Sequence, residues 1–363
     1  MLTRRQLALN AFRKISDVWQ IDMDRVELLD DTNEDVIGFN WWPGDYCVKI
    51  RAYLNPENKD YPGFKLQMKT DFIADIEVNE RFERMSSDLS RYSTSTYAWA
   101  YEPVFLKTKH GISNKNVDLF LSSSVYIYEE IADWAAELFA HTAIIQPINA
   151  QIQAATMAEL FGTGRPNQSE LSPGSPKELD NILEVVKDVF VPQGQKPSFF
   201  SGSDEFEQFT EKYARQDNCF GMGDQGGMTL ETPFGQDSAL IRFITSEKHP
   251  QLGNGLLMTI QLPWFDDKLE IARQTAELNY YETVYWTSFP QLGCWHSAQG
   301  RDNEDGVAFS LFLPNAVFRP GLITNLAFWA VARAQLVKNI KFPDVKSATM
   351  NDIMKKRFDK MRQ

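Results

Sequence analysis

The sequence predicts an α+β protein of two similar units, each an antiparallel sheet packed by helices, with the two units related by a pseudo-two-fold axis. Strands cluster between helices and do not alternate with them, which favours α+β over a parallel sheet. Turn formers such as Asn254-Gly255 favour hairpin connections. The order helix, three strands, helix, two strands, helix occurs twice. With 363 residues, the chain is long enough for two domains of ordinary size.

The composition narrows the function classes. Lys and Arg number 37 and Asp and Glu 49, giving a net charge of −12, so binding of nucleic acid by the whole surface is not expected. Cys47, Cys219 and Cys294 lie far apart, which excludes a disulfide scaffold and fits a reducing compartment. We find no signal peptide and no apolar run of about 20 residues, and expect a cytoplasmic protein without a membrane partner.

The internal repeat is clearest around the last strand of each unit. Leu119 to Tyr126 and Leu311 to Phe318 both read as the end of an apolar strand, a three-residue break and an apolar pair. The break is predicted at Ser122–Ser124 in one unit and at 314–316 in the other. The offset, 313 − 121 = 192, continues without a gap through the helix that follows.

Earlier elements follow the same order in both units. A first helix is predicted over Leu2 to Asp17, where apolar residues recur at helical spacing, and its counterpart over Asp204 to Ala214. The strand segment 45–51 resembles 238–242, and the next strands begin at Phe64 and Leu256, each after a glycine. A long helix and a strand with an aromatic centre follow in each unit.

The composition also indicates where the boundaries between the predicted units lie. We predict a first unit over residues 1–160, a linker with a short helix over 161–200, a second unit over 201–345, and an amphipathic basic helix over 346–363. The linker is rich in Gly, Ser and Pro. The last helix has one apolar side, formed by Ile353, Met354, Phe358 and Met361, and one basic side, formed by Lys355, Lys356, Arg357 and Lys360.

This element order resembles the type III secretion chaperone-like fold, shared by secretion chaperones and the YbjN-like family of bacterial regulators. The resemblance covers about 130 residues in each half and rests on the strand, break and helix ending in Leu121 to Tyr126 and Leu313 to Phe318. Chaperones of the family are small, acidic dimers that bind extended partner segments through apolar sheet and helix surfaces. The resemblance therefore implies a polypeptide partner and, with two units in one chain, a dimer formed within the molecule.

Motifs for chemistry are few. Residues 221–226 match G-x-G-x-x-G, but a strand pattern and Pro233 follow in place of a helix, so we predict a β-hairpin turn and no nucleotide site. The four histidines include no metal-ligand spacing, and no metal or cofactor is expected. Cys294 and His296 could form a nucleophile pair, but no residue to orient the histidine is evident.

Two aromatic pairs are the candidate partner-binding residues: Trp41 with Trp42, and Trp264 with Phe265. Adjacent residues on a strand point to opposite faces, so one member of each pair is expected to be less buried. An exposed aromatic patch marks a contact site. The alternative is that these rings pack between the two units.

We expect a non-enzymatic protein that binds a polypeptide, as a chaperone, adaptor or regulator, through apolar sheet and helix surfaces. One alternative is an enzyme with a site in the cleft between the units, which would show a deep pocket lined by converging polar groups. Another is a structural subunit of a larger assembly. The expected state is a monomer with pseudo-dimeric halves or a homodimer.

Overall fold

The computed structural model describes residues 2–22, 26–29, 35–54, 63–92, 96–102, 116–162, 164–168, 176–213, 220–224, 226–284, 290–299 and 305–341. It has two antiparallel sheets of seven strands, each packed by helices. The predicted fold class is confirmed. The helix predicted over 346–363 lies outside the described residues.

The first sheet and its helices come from the amino-terminal part of the chain. The elements are α1 (Arg4–Trp19), β1 (Glu27–Leu29), β2 (Val36–Trp41), β3 (Val48–Tyr53), β4 (Phe64–Glu77), α2 (Glu80–Tyr92), β5 (Ala98–Ala100), β6 (Asn116–Ile127), a 3₁₀ turn (Glu129–Ile131), α3 (Ala132–Ala143) and α4 (Ile145–Phe161). The strand order is β1-β2-β3-β4-β6-β5, and β7 (Arg165–Pro166) pairs with β4.

A helical segment then leads to the second sheet. It contains α5 (Pro176–Val185), a π-helical turn (Val186–Phe190) and α6 (Val191–Gly194). The second unit has α7 (Asp204–Tyr213), β8 (Phe220–Asp224), β9 (Gly227–Phe234), β10 (Asp237–Ile244), β11 (Lys248–His249), β12 (Gly253–Asp266), α8 (Lys268–Val284), β13 (Cys294–Gln299), β14 (Asp305–Pro314), a 3₁₀ turn (Asn315–Val317) and α9 (Leu322–Lys341). Its strand order, β8-β9-β10-β12-β14-β13, repeats that of the first sheet.

The first helix shows how local sequence fixes an element. Thr3 and Gln6 form a capping box, in which the Thr3 hydroxyl accepts from the Gln6 N–H and the Gln6 side chain accepts from the Thr3 N–H. The apolar residues predicted to share one face, Leu7, Ala8, Ala11, Phe12 and Ile15, are all buried. Trp19, the last residue of the helix, donates a hydrogen bond from Nε1 to the carbonyl of Ala140, 2.8 Å away. The helix is thereby held against α3.

The gapless offset of 192 is wrong for the last strand of each unit. Phe64 pairs with Ile127, and Leu256 pairs with Leu313, so the offset is 192 for β4 and β12 but 313 − 127 = 186 for β6 and β14. The 3₁₀ turns confirm the smaller value, since 315 − 129 = 186. Ser122–Ser124, predicted as a break, lie inside β6. Serine is typical of turns, but here Gln291 and Gln146 accept hydrogen bonds from the hydroxyls of Ser122 and Ser123, and the backbone of Ser124 pairs with Gln291.

Each sheet has a further edge strand that the predicted order of three strands lacks, β1 in the first unit and β8 in the second. The hairpin predicted at residues 221–226 is confirmed: β8 and β9 pair antiparallel, with Asp224 opposite Gly227. Gly226, in the turn, has φ +80°. Glycine takes this left-handed backbone conformation with no side-chain clash, which explains the motif without a nucleotide.

The two units exchange contacts reciprocally. Helix α2 packs against β13 of the second sheet, α8 packs against β5 of the first sheet, and α2 packs against α8. The hydroxyls of Ser87 and Thr275 meet between these helices, 3.2 Å apart. Ser124 of β6 and Gln291 exchange both backbone hydrogen bonds, at 2.8 and 2.7 Å. A two-fold relation between similar units produces this kind of paired exchange.

Across the part of the chain that the structure describes, every helix is too short or too polar to cross a bilayer.

Candidate functional site

The four aromatic candidates occupy different environments. Trp41 is 1% exposed and stacks on Trp19 at 5.5 Å between ring centroids, so it belongs to the core of the first unit and its assignment to partner binding is wrong. Trp42 and Trp264 are half-buried. Phe265 is 42% exposed. One member of each pair is thus more exposed, as the strand alternation predicted. Trp41 packs within one unit and not between the two.

The outer faces of the two sheets differ in chemistry at equivalent positions. Lys49 on β3 pairs with Lys69 on β4, and Leu240 on β10 pairs with Gln261 on β12. The pairing register makes these two pairs equivalent, because β4 and β12 are offset by 192. A basic pair in the first unit therefore stands where the second unit has an apolar and a neutral side chain. In the first unit Lys49 is also paired with Asp71, at 2.7 Å.

The two units contact each other directly along the seam between them. Hydrogen bonds cross it from Gln67 Nε2 to the carbonyl of Thr283 at 2.9 Å and from the Ser297 N–H to Ser87 Oγ at 3.1 Å. A cavity of about 10 Å³ lies between α2 and α8. Its lining is Ser86, Ser87, Ser90, Trp99, Tyr101, Ala272, Thr275, Ala276 and Asn279. This volume holds about one water molecule, so this cavity has no space for a substrate.

Charged side chains are buried beside this seam. Arg333 of α9 donates from Nε and Nη2 to the two carboxylate oxygens of Glu282, at 2.8 and 2.9 Å, and both side chains are 1% exposed. Trp295 Nε1 donates to Glu282 as well, at 2.7 Å. From the first unit, Lys65 Nζ donates to the carbonyl of Thr283 at 2.7 Å, near the end of α8. A cation there suits the negative end of the helix dipole.

The two members of the possible nucleophile pair contact other groups. Cys294 is buried, and its Sγ lies 3.6 Å from the carbonyl of Ser90. Burial raises the pKa of Cys294 to about 12, so the thiol stays protonated at neutral pH. His296 Nε2 lies 2.7 Å from Ser310 Oγ, and its Nδ1 lies 2.8 Å from the carbonyl of Ser297. The imidazole is therefore engaged with groups other than the thiol.

An open cleft of about 420 Å³ lies on the second unit, between α7 and the turn that joins β8 to β9. Its lining is Gly202, Ser203, Asp204, Phe206, Glu207, Thr210, Glu211, Gly226 and Gly227. Phe206 supplies an apolar floor, since it is buried and contacts Phe243 edge to face at 6.3 Å. The volume falls within the range of ligand sites, about 300–1,000 Å³.

The acidic wall of the cleft is one face of α7. Asp204, Glu207 and Glu211 follow the spacing i, i+3 and i+7, which places them in one row along the helix. All three are exposed, and none forms a hydrogen bond or ion pair with another described residue. Glu205 of the same helix behaves differently, because its carboxylate accepts from the N–H groups of Gly321 and Thr324, at 2.6 and 3.1 Å. That residue ties α7 to the start of α9.

Helix stability does not account for this row. A negative charge in the first turn stabilises a helix through the helix dipole. This effect accounts for Asp204 and Glu207, which lie in the first turn of α7. Glu211 lies near the carboxyl end, where the dipole disfavours a negative charge, and it follows Glu207 at i+4, a repulsive like-charge spacing. The carboxylate of Glu211 therefore costs α7 stability and gains no compensating partner among the described residues.

The opposite wall of the cleft is backbone. Thr245 Oγ1 donates to the carbonyl of Gly226 at 3.1 Å, which holds the turn in place. A Cβ on Gly226 would lie 2.7 Å from Ser201 Oγ, and one on Gly227 would lie 2.0 Å from the carbonyl oxygen of Phe243. Any other residue at position 226 or 227 would force the main chain to move. Glycine at both positions therefore lets the backbone wall stay close to α7.

Comparison with protein-family models, with curated proteins and with solved structures finds no match to this chain. Sequence reasoning missed the cleft, because its two walls lie about twenty residues apart in the chain. The one available signal was the acidic spacing of residues 204, 207 and 211.

Proposed function

We propose that this protein binds, without catalysis, a polypeptide segment that carries basic side chains, and that the cleft beside α7 is the binding site. The observation that carries the proposal is the row of three carboxylates, unpaired with any described residue, that faces a 420 Å³ cleft with an apolar floor. A chaperone, adaptor or regulator would use such a site. The site differs from the apolar sheet and helix surfaces expected from the sequence.

The spacing of the carboxylates favours a polypeptide over a metal ion. From Asp204 to Glu211 the helix rises about 10 Å, at about 1.5 Å per residue. Within the described residues, no group of three or more acidic, histidine or cysteine side chains could hold a metal ion. Several Lys or Arg side chains along one segment would match the row, and their aliphatic stems would lie on Phe206.

A free strand edge adds to this support. Strand β8 is the outermost strand of the second sheet, and its outer edge pairs with no strand in the described ranges. Helix α7 packs against it. An extended segment that hydrogen-bonds to such an edge gains main-chain affinity, while neighbouring pockets read its side chains. The resemblance to the secretion chaperone-like fold implies the same kind of partner, and it stays a prediction.

Binding of short fluorescent peptides, with increasing Lys and Arg content at constant apolar content, tests the proposal by anisotropy. We expect affinity to rise with peptide charge and to fall about fivefold for the double variant Glu207→Gln/Glu211→Gln. An exposed ion pair contributes about 0.2–1 kcal/mol, and this variant removes two. Higher salt should weaken binding to the wild type more than to the variant.

The matched control is Glu159→Gln/Glu184→Gln, which removes two exposed carboxylates from other helices. Both double variants lose the same net charge, so a general electrostatic attraction would weaken equally in the two. Equal affinities of the two variants for the most basic peptide would reject the cleft as the site. If no peptide of the series binds the wild type, the proposed function is wrong.

A further inference from the structure

Strand β8 presents backbone hydrogen-bonding groups at the outer edge of the second sheet. In an antiparallel hairpin, opposite residues alternate between exchanging both hydrogen bonds and exchanging neither. Asp224 and Gly227 close the two-residue turn between β8 and β9, so they exchange both, and the next residue of β8 to do so is Met222. Gly221 and Gly223 therefore point their N–H and C=O groups away from β9, toward an edge with no partner strand in the described ranges.

The register of the next hairpin agrees with this assignment. Phe234 and Asp237 close the turn between β9 and β10, so the even-numbered residues of β9 hydrogen-bond to β10. The odd-numbered residues of β9 are left for β8, which matches the pairing of Thr229 with Met222. Two neighbouring hairpins thus give the same orientation of the β8 backbone.

Gly221 also brings this edge close to α7. A Cβ at this position would lie 3.0 Å from Cγ2 of Thr210 on α7 and 3.3 Å from Cδ2 of Leu230 on β9. The equivalent residue of the first unit is Leu28, which is 67% exposed, so this place in the fold does not itself require glycine. Glycine in β8 therefore lets α7 pack directly against the edge strand.

The orientation of α7 sets its acidic row, residues 204, 207 and 211, beside the same edge. Glu205 binds the start of α9 on one side of the helix, and Thr210 lies against Gly221 on another. Successive residues of a helix are about 100° apart, so the acidic row follows Thr210 on the side away from α9. Thr210 and the row line one cleft. A strand added to β8 therefore runs alongside the carboxylates.

We propose that the partner is an extended segment that pairs antiparallel with the outer edge of β8 and carries basic and apolar side chains in alternation. This inference rests on the proposed function and adds the conformation and sequence pattern of the partner. Every described pair in this sheet is antiparallel. Side chains of the segment opposite Gly221 and Gly223 extend to the α7 side, toward the carboxylates. Those between them lie on the other face, beside Met222, which is 50% exposed.

Two peptides of equal composition test the sequence pattern. One alternates Lys and Val, and the other has all its Lys residues before its Val residues. Both carry the same charge, so a general attraction to the acidic row is the same for both. We expect the alternating peptide to bind at least fivefold more tightly in fluorescence anisotropy. Equal affinities, or tighter binding of the blocked peptide, would overturn the inference and leave the proposed function standing.

Methylation of backbone amides in the alternating peptide tests the strand pairing. In an antiparallel added strand, the residues opposite Gly221 and Gly223 donate their N–H groups to β8, and the intervening N–H groups face away from it. Methylation of the Lys amides should therefore weaken binding at least tenfold. Methylation of the same number of Val amides, the matched control, should weaken it less than threefold. Equal losses, or a larger loss from the Val positions, would contradict antiparallel pairing at this edge.

Amide hydrogen exchange in protein labelled with ¹⁵N-glycine gives the readout on the protein side. Binding of the alternating peptide should slow exchange at Gly221 and Gly223 at least tenfold, because their N–H groups gain acceptors. Gly202 lines the cleft but lies outside β8, so its exchange should change less than twofold. Unchanged exchange at Gly221 and Gly223 in peptide-saturated protein would reject the edge as the binding site. If no peptide binds, both the proposed function and this inference are wrong.

Discussion

At the scale of single residues, the Arg333–Glu282 pair is the most consequential polar contact described. Both side chains are fully buried, and the guanidinium also lies 4.0 Å from the ring centroid of Phe309. Removing one partner of a buried pair leaves a charge without compensation in a poorly solvated place. The pair is thus a point at which a single substitution should have a large effect.

We expect Arg333→Met to lower the free energy of unfolding by about 3–5 kcal/mol, because Glu282 is left buried and unpaired. Urea denaturation, monitored by fluorescence, measures this loss of unfolding free energy. Arg319→Gln, which breaks the more exposed pair with Glu137 at 2.8 Å, should cost less than about 1 kcal/mol. The double variant Arg333→Met/Glu282→Leu should recover part of the loss. Equal losses for Arg333→Met and Arg319→Gln would contradict this account.

At the scale of elements, the β8–β9 hairpin depends on its glycine turn. Gly226 and Gly202 both have positive φ, at +80° and +74°, so alanine strains either backbone. Only Gly226 is also crowded, because its Cβ would meet Ser201 Oγ at 2.7 Å and Thr245 Oγ1 at 2.9 Å. The two positions therefore separate crowding from backbone strain.

Gly202→Ala should cost about 1 kcal/mol in unfolding free energy, the ordinary cost of placing alanine in the left-handed region. Gly226→Ala should cost clearly more, and it should also weaken peptide binding, because the cleft wall must move. Thermal unfolding and the anisotropy assay measure the two effects. Equal stability loss in both variants would show that the turn has room to relax.

Elements are also where sequence reasoning succeeded and failed. The fold class, the first helix and the hairpin at residues 221–226 could be predicted, because capping, periodicity and turn chemistry are local. The break at Ser122–Ser124 could not be judged correctly, since Gln146 and Gln291, from distant segments, bind the hydroxyls of Ser123 and Ser122, and Gln291 also pairs with the backbone of Ser124. The cleft could not be predicted from the sequence for the same reason. It forms only when α7 meets a turn that follows later in the chain.

At the scale of the whole molecule, Lys65 links the first sheet to α8 of the second unit. Its ammonium is fully buried, and burial lowers its pKa from 10.5 to about 8, against the attraction of Glu282. In the unfolded chain the lysine keeps its ordinary pKa. Between about pH 8 and 10.5 the unfolded chain therefore holds more protons, so this group makes stability rise with pH in that window.

We expect the stability of the wild type relative to Lys65→Met to increase between pH 8 and 10 by about 2–3 kcal/mol. Urea denaturation at several pH values measures the difference, and it cancels the titration of other groups. Lys212→Met, at an exposed position of α7, serves as the control and should show no such trend. A difference that stays constant across this window would mean that Lys65 is not desolvated at the seam.

The contrast between Lys49 and Leu240 has a wider meaning. In a symmetric homodimer every substitution appears twice, so both outer faces must carry the same side chain. Two halves encoded in one polypeptide are free of this coupling and can specialise separately. The first half has the lysine pair Lys49 and Lys69, and the second has Leu240 and Gln261, at the same place in the fold. A single molecule can thus present two unlike surfaces to its surroundings.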